Sequence, residues 1–245
     1  MSAPELRICG LAAVRARFER DAKSIQRLYF DYATGRKIGI MTKALAAARK
    51  IYRCIEPEEL EKVAGTIHHG GIVAVVAAAK LSDVHPDALV RWAKAREPVL
   101  VLDRVGNAHN LGALARTAAF FGVPHIVIPG DATTARPNDA AYRVAEGGLE
   151  WIEVHSARDL PAFLRALASA GYAVVGTSPH GKGGSAFPTH GPIALVLGNE
   201  EHGVGPETTA ACTHNVTIHG SGKLESLNVS AAGAVLISRL FAKAK

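Results

Sequence analysis

The sequence predicts an α/β protein in two parts: a small basic α/β domain, then a larger one built on a parallel sheet. Three observations predict it. Net charge is +6 and lies wholly in the first part, since residues 1–97 hold 17 Lys and Arg against 11 Asp and Glu, and residues 98–245 hold 11 of each. From Pro98 the chain repeats strand, loop and helix, the rhythm of a parallel sheet covered on both faces. A length of 245 residues is ample for one large domain or two small ones.

In the first part, "GLAAVRARFER" reads as an amphipathic helix, "IQRLYF" as a strand, "KIGIMTKALAAARK" as a helix and "IYRCI" as a strand. "EPEELEKVAG" puts Pro57 and acidic side chains where a helix N-terminus favours them, with Gly65 as its stop. "GIVAVVAAA" is a short apolar strand. The predicted boundaries are a basic domain over 1–81, a linker with a short helix over 82–97, and a second domain over 98–245. In that domain "VLVLD", "HIVIP", "WIEVH", "YAVVGTS", "IALVLG" and "NVTIH" are strand-like. Helices are expected at 111–121, 137–146, 158–170 and 206–211, and "LNVSAAGAVLISRLFAKAK" closes the chain as a helix with a basic last turn.

Composition excludes several classes. No segment approaches the ~18 consecutive apolar residues of a membrane span. The arginines near the start do not suit a signal peptide, so a cytoplasmic protein is expected. Cys9, Cys54 and Cys212 are isolated, which argues against zinc and disulfide frameworks alike. His68 and His69 read as a turn before a strand, so no metal is expected. The basic first part suits a polyanion, with Arg15, Arg17, Arg27, Arg36 and Lys37 as candidate phosphate contacts. A solvated, mildly basic surface is the alternative.

Ligands of open parallel sheets bind beyond the carboxyl ends of the strands, and three loops there stand out. In "DRVGNAHNLGALART" the strand ends at Asp103, Asn110 is the expected helix cap, and Gly112 and Ala113 admit another backbone or a ligand. Arg116 follows about a turn and a half later, either to meet a bound group or to reach solvent or Asp103. In "LVLGNEEHGVGPE", Gly198, Gly203 and Gly205 surround a polar turn holding Asn199, Glu200 and Glu201, so backbone amides are open to a small flat ligand. It lacks the G-K-[ST] ending of a phosphate loop, and no G-x-G-x-x-G follows a strand, which disfavours a Rossmann-type nucleotide enzyme. In "IHGSGKLESLNVSAAG", Ser226 is the expected cap of the last helix. Ala231, Ala232, Gly233 and Ala234 make that helix thin enough for a close helix contact.

"NLGALARTA", "GNEEHG" and "SLNVS", in that order, resemble the SpoU/TrmH family of RNA 2′-O-ribose methyltransferases, within the SPOUT class. The resemblance covers residues 98–245. "ICGLAAVRARFE" and "TIHHGGIVAVV" are similar, more loosely, to the ribosomal-protein-like RNA-binding domain that precedes the catalytic domain in rRNA guanosine 2′-O-methyltransferases. It implies S-adenosylmethionine as cofactor, a deep trefoil knot in the parallel-sheet domain, a homodimer, and RNA as substrate. Carried over, Gly198, Ile218 and Leu227 contact the adenosine part, with Thr177, Asn199 and Gly203 beside them. The functional polar residues are Asn110, Arg116, Glu200, Ser226 and Asn228. A guanosine of large-subunit rRNA is the expected target. The alternatives are a tRNA ribose, or a non-catalytic RNA-binding or ribosome-assembly protein that keeps the fold.

Overall fold

A computed structural model of the chain describes residues 4–78, 80–131, 133–178, 187–188, 191–199 and 201–242. The first part runs β1 (Glu5–Cys9), α1 (Leu11–Asp21), β2 (Ile25–Phe30), α2 (Tyr32–Gly35), α3 (Gly39–Ala47), β3 (Ile51–Cys54), α4 (Pro57–Ala64) and β4 (Ile72–Ala77). Its sheet has the order β1-β4-β2-β3, with β4 antiparallel to both neighbours and β3 parallel to β2. Strand β1 is an addition to the sequence reading, although "ELRIC" carries its signal: Leu6 and Ile8 point into the core while Glu5 and Arg7 point out. Gly65 ends α4 as expected, adopting φ 67° and donating its N–H to Glu61 O.

The second part runs α5 (Pro86–Ala95), β5 (Val99–Asp103), α6 (Ala108–Phe120), β6 (His125–Pro129), α7 (Asp139–Ala145), β7 (Glu153–Ala157), α8 (Leu160–Ser169), β8 (Ala173–Thr177), β9 (Ile193–Gly198), α9 (Pro206–Ala210), β10 (His214–Val216) and α10 (Val229–Phe241). All six expected strands form one parallel sheet in the order β10-β8-β9-β5-β6-β7. The two-residue alternation sorts its core. Val99 and Val101 join Trp92, Phe163 and Leu164 on one face, and Leu100 and Leu102 join Leu111, Leu114, Leu236 and Ile237 on the other. Each fully buried side chain of this size contributes roughly 1.5–3 kcal/mol.

Residues 82–97 are not a loose connection. Ser156 donates its N–H to Ser82 O at 2.9 Å, and Val84 donates to Ser156 O at 3.1 Å, so the segment runs along β7. His85 caps α5, whose Trp92 is buried. The first sheet is likewise tied to the second part. Arg7 pairs with Asp139 at 3.2 Å, and Arg17 pairs with Glu150 at 3.0 Å with side chains 16% and 2% exposed. At Gly147 (φ 94°) an added Cβ would lie 3.0 Å from the Ala16 methyl.

Two helix caps differ from expectation. Asn107, in extended geometry, caps α6 by accepting from His109 N at 2.8 Å, which leaves Asn110 inside the first turn. Asn228 rather than Ser226 caps α10, accepting from Ser230 N at 2.9 Å. Within the thin stretch of α10 it is Gly233 that faces inward, where a Cβ would meet Leu114 Cδ2 at 2.3 Å, while Ala231 is exposed. At Gly112 the close approach is made by a backbone, Ala141 O, 2.5 Å from where a Cβ would sit.

Candidate functional site

Beyond the carboxyl ends of β8 and β9 lies a cleft of about 690 Å³, within the ~300–1,000 Å³ of small-molecule sites. It is walled by the loop after β9 and by the segment between β10 and α10.

The first wall is a tight turn held by one side chain. Asn199 and Gly203 exchange backbone hydrogen bonds at 3.1 and 2.8 Å. Asn199 Oδ1 accepts from the N–H groups of Glu201 (2.9 Å) and His202 (3.1 Å), and its Nδ2 donates to Arg104 O at 3.1 Å. Gly198 is required by space. A Cβ there would lie 2.1 Å from Gly203 C and 2.2 Å from Val204 N, so the loop backbone would have to shift to admit any side chain. Below the turn, Asp103 is buried and accepts from Gly205 N at 2.7 Å and from Arg104 Nε at 3.2 Å. Arg104 itself is held at φ 58°, a sparsely populated conformation for a non-glycine residue.

The second wall brings Ile218, Ser226 and Leu227 to the cleft, opposite Thr177, Gly198, Asn199 and Gly203. Seven residues expected from the sequence thus face one space. The structure adds Ser178, Thr217, His219 and Lys223 to the lining. Thr217 is 5% exposed, and its buried Oγ1 has no hydrogen-bond partner among the described residues, an unsatisfied polar atom beneath the cleft wall. Sequence reading passed over it as one more alternating position of a strand, but β10 stops at Val216.

The expected polar residues divide into three cases. Asn110 and Asn228 meet: Asn228 Nδ2 donates to Asn110 Oδ1 at 3.2 Å, joining α6 to α10 beside the cleft-lining Leu227 and Val229. Arg116 lies six residues further along α6, about 9 Å at 1.5 Å per residue. It does not line the cleft and pairs with Glu146 at 3.0 Å, both side chains more than half exposed. Glu200 lies outside the described residues. Nearby, Cys212 packs against Gly176; burial, helped by Asp103, pushes its thiol up to about 12, so it stays protonated.

The candidate phosphate contacts also divide. Arg15, Arg36 and Lys37 are exposed, with an Arg15 guanidinium nitrogen 3.5 Å from Lys37 O. Arg17 is turned inward to Glu150 and to Tyr142 Oη (3.4 Å), and Arg27 is ion-paired to Glu5. The Arg17 charge is thus matched inside the fold, whereas the Arg27–Glu5 pair is partly exposed, its side chains 31% and 46% accessible.

A family model described as "SpoU rRNA Methylase family" matches residues 97–238, and one described as "RNA 2'-O ribose methyltransferase substrate binding" matches residues 7–82. The chain is 35% identical over 232 residues to "23S rRNA (guanosine-2'-O-)-methyltransferase RlmB" of Ralstonia nicotianae, covering 94% of this chain and 92% of that protein. It is 34% identical over 237 residues to "Uncharacterized tRNA/rRNA methyltransferase YfiF" of Escherichia coli O157:H7, covering 96% and 67%. Its fold matches that of an AdoMet-bound rRNA methyltransferase from Sinorhizobium meliloti with TM-score 0.76, at 21% identity and covering 96% and 85% of the two chains. The six-stranded parallel sheet, the cleft at its carboxyl edge and these matches agree with the resemblance drawn from the three motifs, and the chain belongs to the SpoU rRNA methylase family.

Proposed function

We propose that the protein transfers the methyl group of S-adenosylmethionine to a ribose 2′-hydroxyl of RNA, with a guanosine of large-subunit rRNA as target. The observation that carries the reading is the cleft in which Thr177, Gly198, Asn199, Gly203, Ile218, Ser226 and Leu227 face one another. The relative named for 23S rRNA guanosine methylation supports the choice of RNA.

The cleft suits the cofactor. Its volume fits a nucleoside-sized ligand, its glycines expose backbone groups, and Ile218 and Leu227 offer apolar contact to an adenine. When bound, the cofactor supplies a methyl group already activated on sulfur, with a neutral leaving group, so no acid is needed from the chain. What the chain must do is orient the hydroxyl and stabilise the charge that grows on its oxygen. We assign Asn110, held by Asn228, to orient the ribose. Arg116 binds the adjacent phosphate and the developing 2′-oxyanion. It does not act as a base, because a guanidinium has a pKa above roughly 12; the 2′-hydroxyl proton passes to solvent water as the oxygen–methyl bond forms and the methyl–sulfur bond breaks. Its present pair with Glu146 is exposed, and such pairs contribute about 1 kcal/mol or less, so exchange for a phosphate costs little. Ser226, Asn228 and Glu200 complete the polar rim. A homodimer with a trefoil-knotted catalytic domain over 98–245, located in the cytoplasm, completes the proposal. Residues 1–81 dock the RNA through Arg15, Arg36 and Lys37.

Purified protein given labelled S-adenosylmethionine, unmodified large-subunit rRNA fragments and a tRNA pool tests this directly. 2′-O-methylguanosine confined to rRNA is expected; the same product in tRNA overturns the substrate, and no cofactor binding overturns the enzyme. Arg116→Lys keeps the charge but loses the planar fork, so turnover falls strongly while cofactor affinity holds. Near-wild-type turnover in that variant refutes the role.

A further inference from the structure

At the opposite edge of the parallel sheet from the cleft, two histidines and a carboxylate converge. His125 and Glu153 open β6 and β7 and are paired across the strands, and His155 lies two residues further on the same side of β7. Their nearest ligand atoms all lie within 4.8 Å of one another. Glu153 Oε2 is 3.7 Å from His125 Nδ1 and 3.5 Å from His155 Nε2. Both separations exceed normal hydrogen-bond distances, and both ring nitrogens are buried with no hydrogen-bond partner among the described residues. They approach the ~3.3 Å between neighbouring ligands of a tetrahedral ion bound at about 2.0–2.1 Å.

The surroundings orient the set. Glu97 Oε2 lies 3.0 Å from His125 Nε2, so with the proton on Nε2 the Nδ1 lone pair faces Glu153. A carboxylate behind the ligating imidazole is the usual outer partner of a metal-bound histidine. Trp92 stacks on the His125 ring at 4.0 Å and 23° and fixes its plane. The side chain of His125 is only 6% exposed. A buried lone pair aimed at a carboxylate is unfavourable unless a proton or a metal cation lies between them, and the 3.7 Å separation is longer than an N–H···O bond would draw it.

We propose that His125 Nδ1, His155 Nε2 and Glu153 Oε2 bind one divalent zinc-class ion, with water in the fourth position on the solvent side of Glu153. The role is structural. The ion bridges the first residues of β6 and β7 and, through Glu97 and Trp92, anchors residues 82–97 to the sheet edge. Sequence reading missed the set because strand register, rather than a short spacing, brings its members together.

The full-length protein, stripped by chelator dialysis, is titrated with zinc by calorimetry and with cobalt by visible absorption. One ion per chain, a cobalt spectrum of four-coordinate intensity and a zinc-dependent rise in melting temperature are expected. Glu153→Gln, on an exposed side chain, and His155→Gln each weaken binding at least ~10-fold, and Glu153→Gln should fold normally without zinc. No binding at tenfold molar excess overturns the proposal, as does binding that both variants leave unchanged. Methyl transfer is not the readout, so this result stands apart from that of the transfer assay.

Discussion

Replacing Arg17 with alanine leaves Glu150 buried without its cation. Glu150 has a side chain 2% exposed and already titrates above the ordinary carboxylate value, because burial outweighs the attraction of Arg17. Breaking a buried pair in this way typically costs 3–5 kcal/mol. An upper bound follows from protonation: neutralising a carboxyl of ordinary pKa 4.5 at pH 7 costs about 3.4 kcal/mol. The variant is therefore expected to lose about 3 kcal/mol, a drop of roughly 6–12 °C in melting temperature for a chain of this size. The sign with pH follows. In the variant Glu150 binds its proton more tightly folded than unfolded, so the defect is largest at neutral pH and shrinks on acidification towards 4.5. Thermal and denaturant unfolding across that range measure it. A double change to Arg17→Met and Glu150→Leu should recover most of the loss. A loss below about 1 kcal/mol, the scale of a surface pair, or one that does not change with pH, refutes the reasoning. Were Arg17 a phosphate contact instead, stability would hold and the salt slope of RNA binding would fall by about 1.

Gly198→Ala forces a methyl against the Gly203–Val204 backbone, so the loop must shift and cofactor affinity, read by calorimetry, should fall at least ~10-fold; unchanged affinity would show that the loop adapts freely. Of the three thiols, exposed Cys54 should react fast with a disulfide reagent at mild alkaline pH. Burial raises Cys9 to about 11 and Cys212 to about 12, so both should react only on unfolding, as mass spectrometry of the labelled protein would show. Asp131 is held below 3.8 chiefly by the Thr133 hydroxyl, then by the Thr133 amide and by Thr134. The stability gap between wild type and Asp131→Ala is thus expected in full above pH 3.8 and should close as pH falls through the lower folded value.

Much of the fold was legible because the central runs of the second part, as in "VLVLD" and "IALVLG", are apolar on both faces, a pattern that suits a covered parallel strand. Short elements were harder. "ELRIC" is five residues long and runs directly into a helix, so its alternation is too short to stand out by itself. The cleft was legible through its glycines and its asparagines, because close backbone approach and side-chain-to-backbone bonding restrict those positions to few residue types. The capping roles were displaced by a few residues, from Asn107 to Asn110 and from Asn228 to Ser226, since several adjacent polar residues satisfy the same local rule. What stayed hidden depends on long-range partners. Nothing local in Arg17 announces Glu150, 133 residues away, and nothing in His125 announces Glu97 and Glu153.

The seam between the two sheets has a geometric consequence. Arg7 on Asp139, Arg17 on Glu150 and Gly147 against Ala16 fasten β1 and α1 to α7 and the turn that follows it at three points. The exposed Arg36–Lys37 corner therefore stands at a set offset from the cleft mouth instead of swinging on a tether. On the proposed function such a body works as a caliper: it selects a nucleotide by how far it lies from the RNA feature gripped at the other jaw. Nearby riboses of identical chemistry are then passed over because they fall at the wrong span.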